Sequence, residues 1–214
     1  MSYVFDAGPA DFRDMNRSWM TRAALSAAAA IAATAAVAAP ANAGVLTTSA
    51  TDCGDPQLTQ PFAPWLDRAY YKEVGTFENG ADGWTLTGGA RVVSGGALSG
   101  GHSLSLPAGS TATTPPVCVG LEEPTLRYFA RKNSGLLSTL SASVQVQLQL
   151  GVWVTLPMSV DLGGAWHPSL PSPVVANLLP LLPGDRTAVR FKFAPLLGGN
   201  WQVDDVYVDP RNRA

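Results

Sequence analysis

The feature that most constrains the fold is an alternation of apolar and polar side chains along residues 143–150, which read SVQVQLQL. Successive side chains of a strand point to opposite faces, so this alternation predicts a β-strand with one apolar face. The apolar set is Val144, Val146, Leu148 and Leu150, and the polar set is Gln145, Gln147 and Gln149. A shift of one residue would bury the three amides, so the pattern fixes the register of this strand.

The same alternation recurs along residues 125–132 and 188–193. In the first of these, one face carries Leu126, Tyr128 and Ala130, and the other carries Arg127, Phe129 and Arg131. Past the first 43 residues the sequence shows no sustained 3.6-residue period, and its 21 glycines and 17 prolines indicate short strands joined by turns. Roughly nine half-buried strands predict two packed antiparallel sheets.

The closing segment, NWQVDDVYVDP at residues 200–210, predicts a strand with an irregularity. At the strand period of two, Trp201 and Val203 fall on one face and the following pair of valines on the other. One extra residue would bring both apolar pairs to the same side, so we expect a β-bulge at Asp204 and Asp205. A bulge re-aims side chains, which makes these carboxylates a candidate site. The alternative is that they face solvent at a strand kink.

Residues 1–43 predict a cleavable signal peptide. After a polar opening the chain restarts at Met15 with two arginines, an alanine-rich apolar run at residues 23–39 and the small-residue pattern Ala-Asn-Ala at residues 41–43. We expect Met15 to be the true start, and no membrane span to remain after processing. The abundance of alanine and arginine is typical of a bacterium with high GC content. The predicted location is secreted, either extracellular or in the cell envelope.

The exported chain is divided by its patterns into two parts: an extended lead-in at residues 44–76 and a β-sandwich at residues 77–214. Cys53 and Cys118 are the only cysteines. An even pair outside the cytoplasm is more often bonded than free, so we expect a disulfide. The alternative is a catalytic or metal-binding thiol, but two histidines and no CxxC motif offer it a poor choice of partners.

The charge balance bears on the class of partner. The chain has 14 Lys and Arg against 16 Asp and Glu. Proteins that bind nucleic acid neutralise phosphates with a basic excess, which is absent here. We therefore expect no nucleic-acid partner.

FENGADGW at residues 77–84, the HSLSL strand at residues 102–106 and the closing WQVDDVYVDP resemble the opening, middle and closing strands of galactose-binding-domain-like jelly rolls, the fold of many carbohydrate-binding modules. The resemblance implies a jelly-roll sandwich. It also implies a structural Ca²⁺ that ties the first strand to the last, with Glu78 and Asp204 as ligands and Asp205 as substitute. Calcium takes six to eight oxygen ligands, backbone carbonyls included.

The polar faces of the alternating strands are the candidate ligand surface. Aromatic rings stack on sugar rings, while amides and guanidinium groups bind hydroxyls. Such a surface would form if the strands share a sheet; its members would be Arg127, Arg131, Gln145, Gln147, Gln149, Arg190 and Lys192, with Trp153 or Trp166 as platform. The other interpretation is a merely solvated outer face.

Catalytic patterns are weak. GHSLS at residues 101–105 lacks the final glycine of a nucleophile elbow and reads as a strand, so Ser103 is a poor nucleophile candidate. His167 lies in a proline-rich loop, and Glu122 with Glu123 are adjacent in a turn, which is not the spacing of paired glycosidase carboxylates. We expect no enzyme, but a secreted module that binds polysaccharide or cell-wall glycan. The alternative is a structural or adhesive cell-envelope protein.

Overall fold

The computed structural model describes residues 50, 53, 58–148, 151–174 and 186–209. All of these belong to the unit Val45–Ala214. The predicted signal peptide, Gln149 and Leu150 lie outside the described residues. Within the described part of the chain, no helix has the length and hydropathy needed to span a membrane.

The described residues form fourteen strands and one short 3₁₀ helix, Ala63–Trp65. The strands are β1 (Leu58–Thr59), β2 (Tyr71–Gly75), β3 (Thr85–Thr87), β4 (Arg91–Ser94), β5 (His102–Leu106), β6 (Thr111–Thr113), β7 (Val117–Gly120), β8 (Thr125–Lys132), β9 (Thr139–Gln147), β10 (Trp153–Asp161), β11 (His167–Pro168), β12 (Ser172–Pro173), β13 (Arg186–Leu196) and β14 (Trp201–Asp209). The prediction of an all-β fold is confirmed.

Sheet 1 is built around the closing strand. On one side β14 pairs along its length with β8, and on the other side it pairs first with β5 and then with β2. The sheet is extended by β4 beside β5, by β1 beside β2, and by the short β11 and β12 beside β8. The last two strands carry prolines at the edge of the sheet, where a missing N–H is tolerated.

Sheet 2 is built around β13. This strand pairs with β9 on one side, and with β7 and β6 in succession on the other. The sheet ends at β10 beside β9 and at β3 beside β6. All pairs in both sheets are antiparallel, which confirms the predicted architecture of two antiparallel sheets.

The main core lies between the two sheets and follows the predicted alternation. From β9 it takes Val144 and Val146, and from β13 it takes Phe191 and Phe193, all at most 1% exposed. Sheet 1 contributes the predicted apolar face of β8 together with Leu104 and Leu106 of β5. Burial of this alternating set holds the sandwich together, because the apolar area removed from water is its main source of stability.

The predicted bulge in β14 is confirmed. Asp204 pairs with Phe129, and the next pair in the ladder is Tyr207 with Arg127. Between these two pairs β14 therefore has one more residue than β8. Asp205 has φ 48°, in the left-handed region. The extra residue returns the side chains to the original side: Trp201, Val203, Val206 and Val208 all lie in the one core.

The segment predicted as an extended lead-in supplies part of the sandwich. It contributes β1 and β2 to sheet 1, and the residues between them fold over the outer face of that sheet. There a second apolar cluster forms from Phe62, Tyr71, Phe129 and Tyr207. Phe62 is fully buried, with its ring centroid 4.9 Å from that of Phe129 in a stacked arrangement. The lead-in therefore covers this outer face.

The predicted disulfide between Cys53 and Cys118 is present. It joins the lead-in to β7 of sheet 2. In the opening FENGADGW segment, Gly80 and Gly83 have φ 98° and 75°, which a residue with a Cβ rarely adopts.

Candidate functional site

The polar faces predicted to form one surface lie on two different sheets. Gln145 and Gln147 belong to β9 of sheet 2, whereas Arg127 and Arg131 belong to β8 of sheet 1. The condition for a single surface, that these strands share a sheet, is therefore not met for Arg127 and Arg131. The chain crosses from one sheet to the other between β8 and β9, because β8 pairs with β14 and β9 pairs with β13.

Arg127 has no free surface to offer a ligand. It is 6% exposed and forms an ion pair with Asp67 of the lead-in. Its Nε and Nη2 donate to the carbonyl oxygen of Ser169 at 3.3 and 3.0 Å, and its Cζ lies 3.9 Å from the ring centroid of Phe62. These contacts occupy both its charge and its planar face, so this arginine anchors the cover of sheet 1.

Arg131 is also used within the protein. Its Nε donates to Oε1 of Gln202, which also accepts from Nδ2 of Asn133 at 3.2 Å. Its Cζ lies 5.2 Å from the ring centroid of Trp166, the alternative platform, whose Nε1 donates to the carbonyl oxygen of Gly96 at 3.0 Å. Both side chains thus hold loops against sheet 1.

The outer face of sheet 2 brings the remaining predicted residues together. Trp153 of β10 is opposite Gln147, and Thr155 is opposite Gln145. Across the sheet, Gln145 is opposite Arg190 of β13. The Arg190 Cζ lies 4.3 Å from the ring centroid of Trp153. Nε2 of Gln145 donates to the hydroxyl of Thr155 at 3.3 Å.

We call this surface the sheet 2 face and define it by Ser143, Gln145, Gln147, Trp153, Thr155, Arg190 and Lys192. Its side chains are half-buried, apart from the exposed Thr155. An indole ring, two amides, two hydroxyls and two cations therefore lie side by side. This set can stack on a sugar ring and exchange hydrogen bonds with its hydroxyls.

The predicted calcium ligands surround the loop between β4 and β5. Asp204 accepts from the backbone N–H of Leu98 at 3.0 Å, and Asp205 accepts from the hydroxyl of Ser99 at 2.7 Å. Glu78 accepts from the backbone N–H groups of Gly101 and His102, each at 2.9 Å. The three carboxylates thus hold this loop between the opening and closing parts of the domain.

Burial, and then the charge of Asp205, raise the pKa of Asp204 to about 7. Burial, with a smaller contribution from the charge of Glu78, also raises the pKa of Asp205. The N–H donors of Gly101 and His102 lower the pKa of Glu78. Within the described ranges, no three His, Cys, Asp or Glu side chains are grouped as a metal site would require.

The weak catalytic candidates have structural partners. Ser103 is fully buried in β5, and its hydroxyl accepts from Nε2 of Gln202 at 3.2 Å. Glu123 is 1% exposed and forms ion pairs with Lys72 and Arg186, which join sheet 1 to sheet 2. His167 contacts the carboxylate of Asp161 at 3.0 Å. That last pair was missed from the sequence, where no spacing rule connects the two residues.

No family model matches the sequence, and a search of curated proteins found no match. Solved structures resemble the fold. The CBM22-1 and GH10 modules of a Clostridium thermocellum endo-1,4-β-D-xylanase, complexed with xylohexaose, give a TM-score of 0.50 at 17% identity over 65% of this chain and 29% of that chain. A xylan-binding domain from CBM 22 gives 0.48 at 19% identity over 69% and 99%. The K2 adhesin domain of Lys-gingipain gives 0.43 at 15% identity over 63% and 96%.

At these identities the likeness establishes the fold. The chain has a β-sandwich of the kind found in carbohydrate-binding modules, as the opening and closing motifs predicted. A shared fold does not carry function with it, so the function must be argued from the site.

Proposed function

We propose that this protein is a secreted, non-catalytic module that binds polysaccharide or cell-wall glycan on the sheet 2 face. Export is supported by the signal-peptide pattern of residues 1–43. The observation that carries the proposal is the grouping of Trp153, Arg190 and Gln145 on the outer face of sheet 2. An indole ring supplies the planar apolar surface that a sugar ring stacks on, and neighbouring amides bind its hydroxyls.

The difference between the two outer faces also supports this assignment. The lead-in covers β8 of sheet 1, where Arg127 is engaged with Asp67 and Arg131 with Gln202. A long polysaccharide needs an extended accessible surface, which the described strands β9, β10 and β13 offer. We therefore place the ligand on sheet 2.

Affinity electrophoresis in gels that contain soluble plant and bacterial polysaccharides tests the proposal. A polysaccharide that slows the migration of the wild type should slow that of Trp153→Ala much less. Trp65→Ala is the matched control, because Trp65 is a tryptophan 46% exposed on the lead-in, away from sheet 2. Equal retardation of the two variants would place the ligand elsewhere, and a protein retarded by no polysaccharide would contradict glycan binding.

The second candidate, a structural or adhesive envelope protein, is favoured by exposed leucines on three loops. Leu136, Leu137, Leu162 and Leu197 are between 73% and 93% exposed. Nζ of Lys132 donates to the carbonyl oxygens of Leu136 and Leu162, and the N–H of Asn200, in the loop of Leu197, donates to the hydroxyl of Ser134, so the three loops adjoin. Apolar side chains grouped in this way are typical of contact surfaces. Leu136→Ser with Leu137→Ser should then reduce retention on isolated cell envelopes, and protease treatment of the envelopes should abolish it.

We also propose that Ca²⁺ binds beside the β4–β5 loop, with Glu78 and one of Asp204 and Asp205 among its ligands. The donors present are carboxylate oxygens, which calcium prefers, and a cation would offset the burial and the charge of Asp205 that raise the pKa of Asp204. Calcium that binds only the folded state must raise the melting temperature. A chelator should lower it for the wild type and have little effect on Glu78→Gln. A wild-type midpoint indifferent to calcium would remove the site.

A further inference from the structure

The charged residues that point outward from the described strands of sheet 2 are all basic. By the registers of the ladders they are Arg186, Arg190 and Lys192, at alternate positions of β13. The outward side chains of the flanking strands are uncharged there, for example Ser143, Gln145 and Thr113. The whole chain nevertheless has two more acidic than basic residues. The positive charge is thus local to this face.

Two of these three cations have no acidic partner within ion-pair distance among the described residues. Arg186 is compensated by Glu123 at 3.7 Å. Arg190 and Lys192 form no ion pair within the described ranges, where five ion pairs occur in total. As alternate residues of one strand they lie about 7 Å apart along it. Two like charges at that separation repel each other, so an anion placed between them would be stabilised by both.

The geometry of Arg190 leaves it able to bind such an anion. Its guanidinium lies over the ring of Trp153, with Cζ 4.3 Å from the centroid. A guanidinium in contact with an aromatic ring through one face still has in-plane N–H donors at its edge. Those donors match the two oxygens of a carboxylate, sulfate or phosphate, and such charge-assisted hydrogen bonds are stronger than those to a neutral hydroxyl.

We infer that the glycan bound on the sheet 2 face is an acidic polysaccharide, whose anionic groups pair with Arg190 and Lys192. The inference rests on the proposed function and adds the chemical class of the ligand. Trp153 has two roles in this arrangement: it offers its indole ring to the sugar and holds the guanidinium in a fixed position.

Matched pairs of polymers test the inference. Carboxymethyl cellulose and hydroxyethyl cellulose share a backbone and differ in charge, and dextran sulfate and dextran form a second pair. Polygalacturonate adds a natural carboxylate polymer, and purified wall teichoic acid adds a phosphate polymer. Affinities are measured by isothermal titration calorimetry at low salt and in about 1 M NaCl, where the Debye length falls to about 3 Å. We expect at least one acidic polymer to bind tenfold or more tightly than its neutral partner, with much of that advantage lost in high salt.

Three variants with the same change in net charge locate the effect. Arg190→Gln should weaken binding of the acidic polymer about tenfold, and Lys192→Gln should weaken it several-fold. Both variants should also reduce the salt dependence of binding. Arg91→Gln is the control, because Arg91 is an exposed arginine of β4 in sheet 1 and lies off the sheet 2 face. Its affinity should stay within twofold of the wild type. Circular dichroism melts check that all three variants fold.

The outcomes separate the two proposals. If no polymer binds, glycan binding itself fails, and the acidic preference fails with it. If neutral and acidic partners bind equally and salt has no effect, the glycan-binding function stands and the acidic preference is overturned. If Arg91→Gln weakens binding as much as Arg190→Gln does, the attraction is diffuse and the assignment to Arg190 and Lys192 is wrong.

Discussion

The two outer faces of the sandwich carry similar polar patterns but have different surroundings. On sheet 1, the outward side of β8 presents Arg127 and Arg131, and both are engaged with other parts of the chain. On sheet 2, the outward side of β9 presents Gln145 and Gln147 beside Trp153. Alternation within a strand shows which side faces the core. It does not show whether the other side meets water or a second layer of the protein.

One residue type marks the difference between these faces. Between Arg127 and Arg131, the outward face of β8 carries Phe129, which is 2% exposed under the lead-in. The outward face of β9 carries one threonine, two serines and two glutamines, and no aromatic residue. In β8, the buried aromatic side chain on the polar side thus marks the covered face. Phe62 and Trp65 of the lead-in are its partners, with ring centroids 4.9 and 5.0 Å away.

The largest expected effect concerns the disulfide that tethers the cover. Cys53 and Cys118 are 65 residues apart, and in the chain-entropy model a bond that closes a loop of this length stabilises the fold by roughly 4 kcal/mol. Urea denaturation with a reducing agent should show a loss approaching that value. The double variant Cys53→Ser with Cys118→Ser should be insensitive to the reducing agent. A midpoint that reduction leaves unchanged would show that the lead-in is held by packing alone.

The next effect compares one arginine from each face. Arg127→Met removes the ion-pair partner of Asp67 and the donor to the carbonyl of Ser169, which should cost about 3 kcal/mol of unfolding free energy. Arg190→Met removes a guanidinium from the sheet 2 face and should change stability by only about 0.5 kcal/mol. Both values come from denaturant melts of the two variants. Similar losses for the two would break the distinction between a covered and an open face.

Acid pH should affect the covered face through Asp67. Burial raises the pKa of this carboxyl, but the hydroxyl of Tyr71, the N–H of Ala69 and the guanidinium of Arg127 together outweigh burial and hold it below the ordinary value of 3.8. The unfolded chain therefore takes up this proton at higher pH than the folded protein does. The stabilisation is complete above about pH 4 and is lost as pH falls through the lowered pKa.

Melting temperatures between about pH 6 and pH 2.5 test this sign. The wild type should lose more stability below pH 4 than Asp67→Asn does, since the variant lacks the titrating group. The difference should be smaller than the loss caused by Arg127→Met. Parallel curves for the two proteins would show that Asp67 gives no acid sensitivity to the fold.

Much of the fold follows from local patterns in the sequence. The apolar set of β8 and the valines Val144 and Val146 of β9 lie in the core as predicted, and two apolar pairs on opposite sides of one strand correctly predicted the bulge at Asp204 and Asp205. The assignment of strands to sheets does not follow from such patterns, because pairing partners are distant in sequence. β8 and β9 are consecutive but belong to different sheets, so Arg127 and Gln145 do not share a surface.

For the same reason, only part of the candidate site could be predicted from the sequence. Gln145, Gln147 and Trp153 come from neighbouring strands joined by a short connection, and local alternation places them together. The pairing of β9 with β13, which brings Arg190 beside Gln145 and Trp153, depends on a contact across more than forty residues. From the sequence alone, Arg190 is one candidate polar residue among several. Only the register of β9 with β13 places it beside Gln145.

The smallest expected effect on stability tests the glutamines of the two faces. On the sheet 2 face, Gln145→Ala with Gln147→Ala removes two half-buried amides that alternate with the core valines, so the unfolding free energy should change by about 0.5 kcal/mol or less per site. Retention by a glycan should weaken, because the amides adjoin Trp153.

On sheet 1, Gln202 is 5% exposed, accepts from Arg131 and donates to Ser103. Gln202→Ala leaves those buried groups without partners and should cost about 1–3 kcal/mol, with glycan retention intact. The two faces are functionally distinct if stability and retention separate in this way. Unfolding of the double variant would instead show that the sheet 2 face is covered like its counterpart.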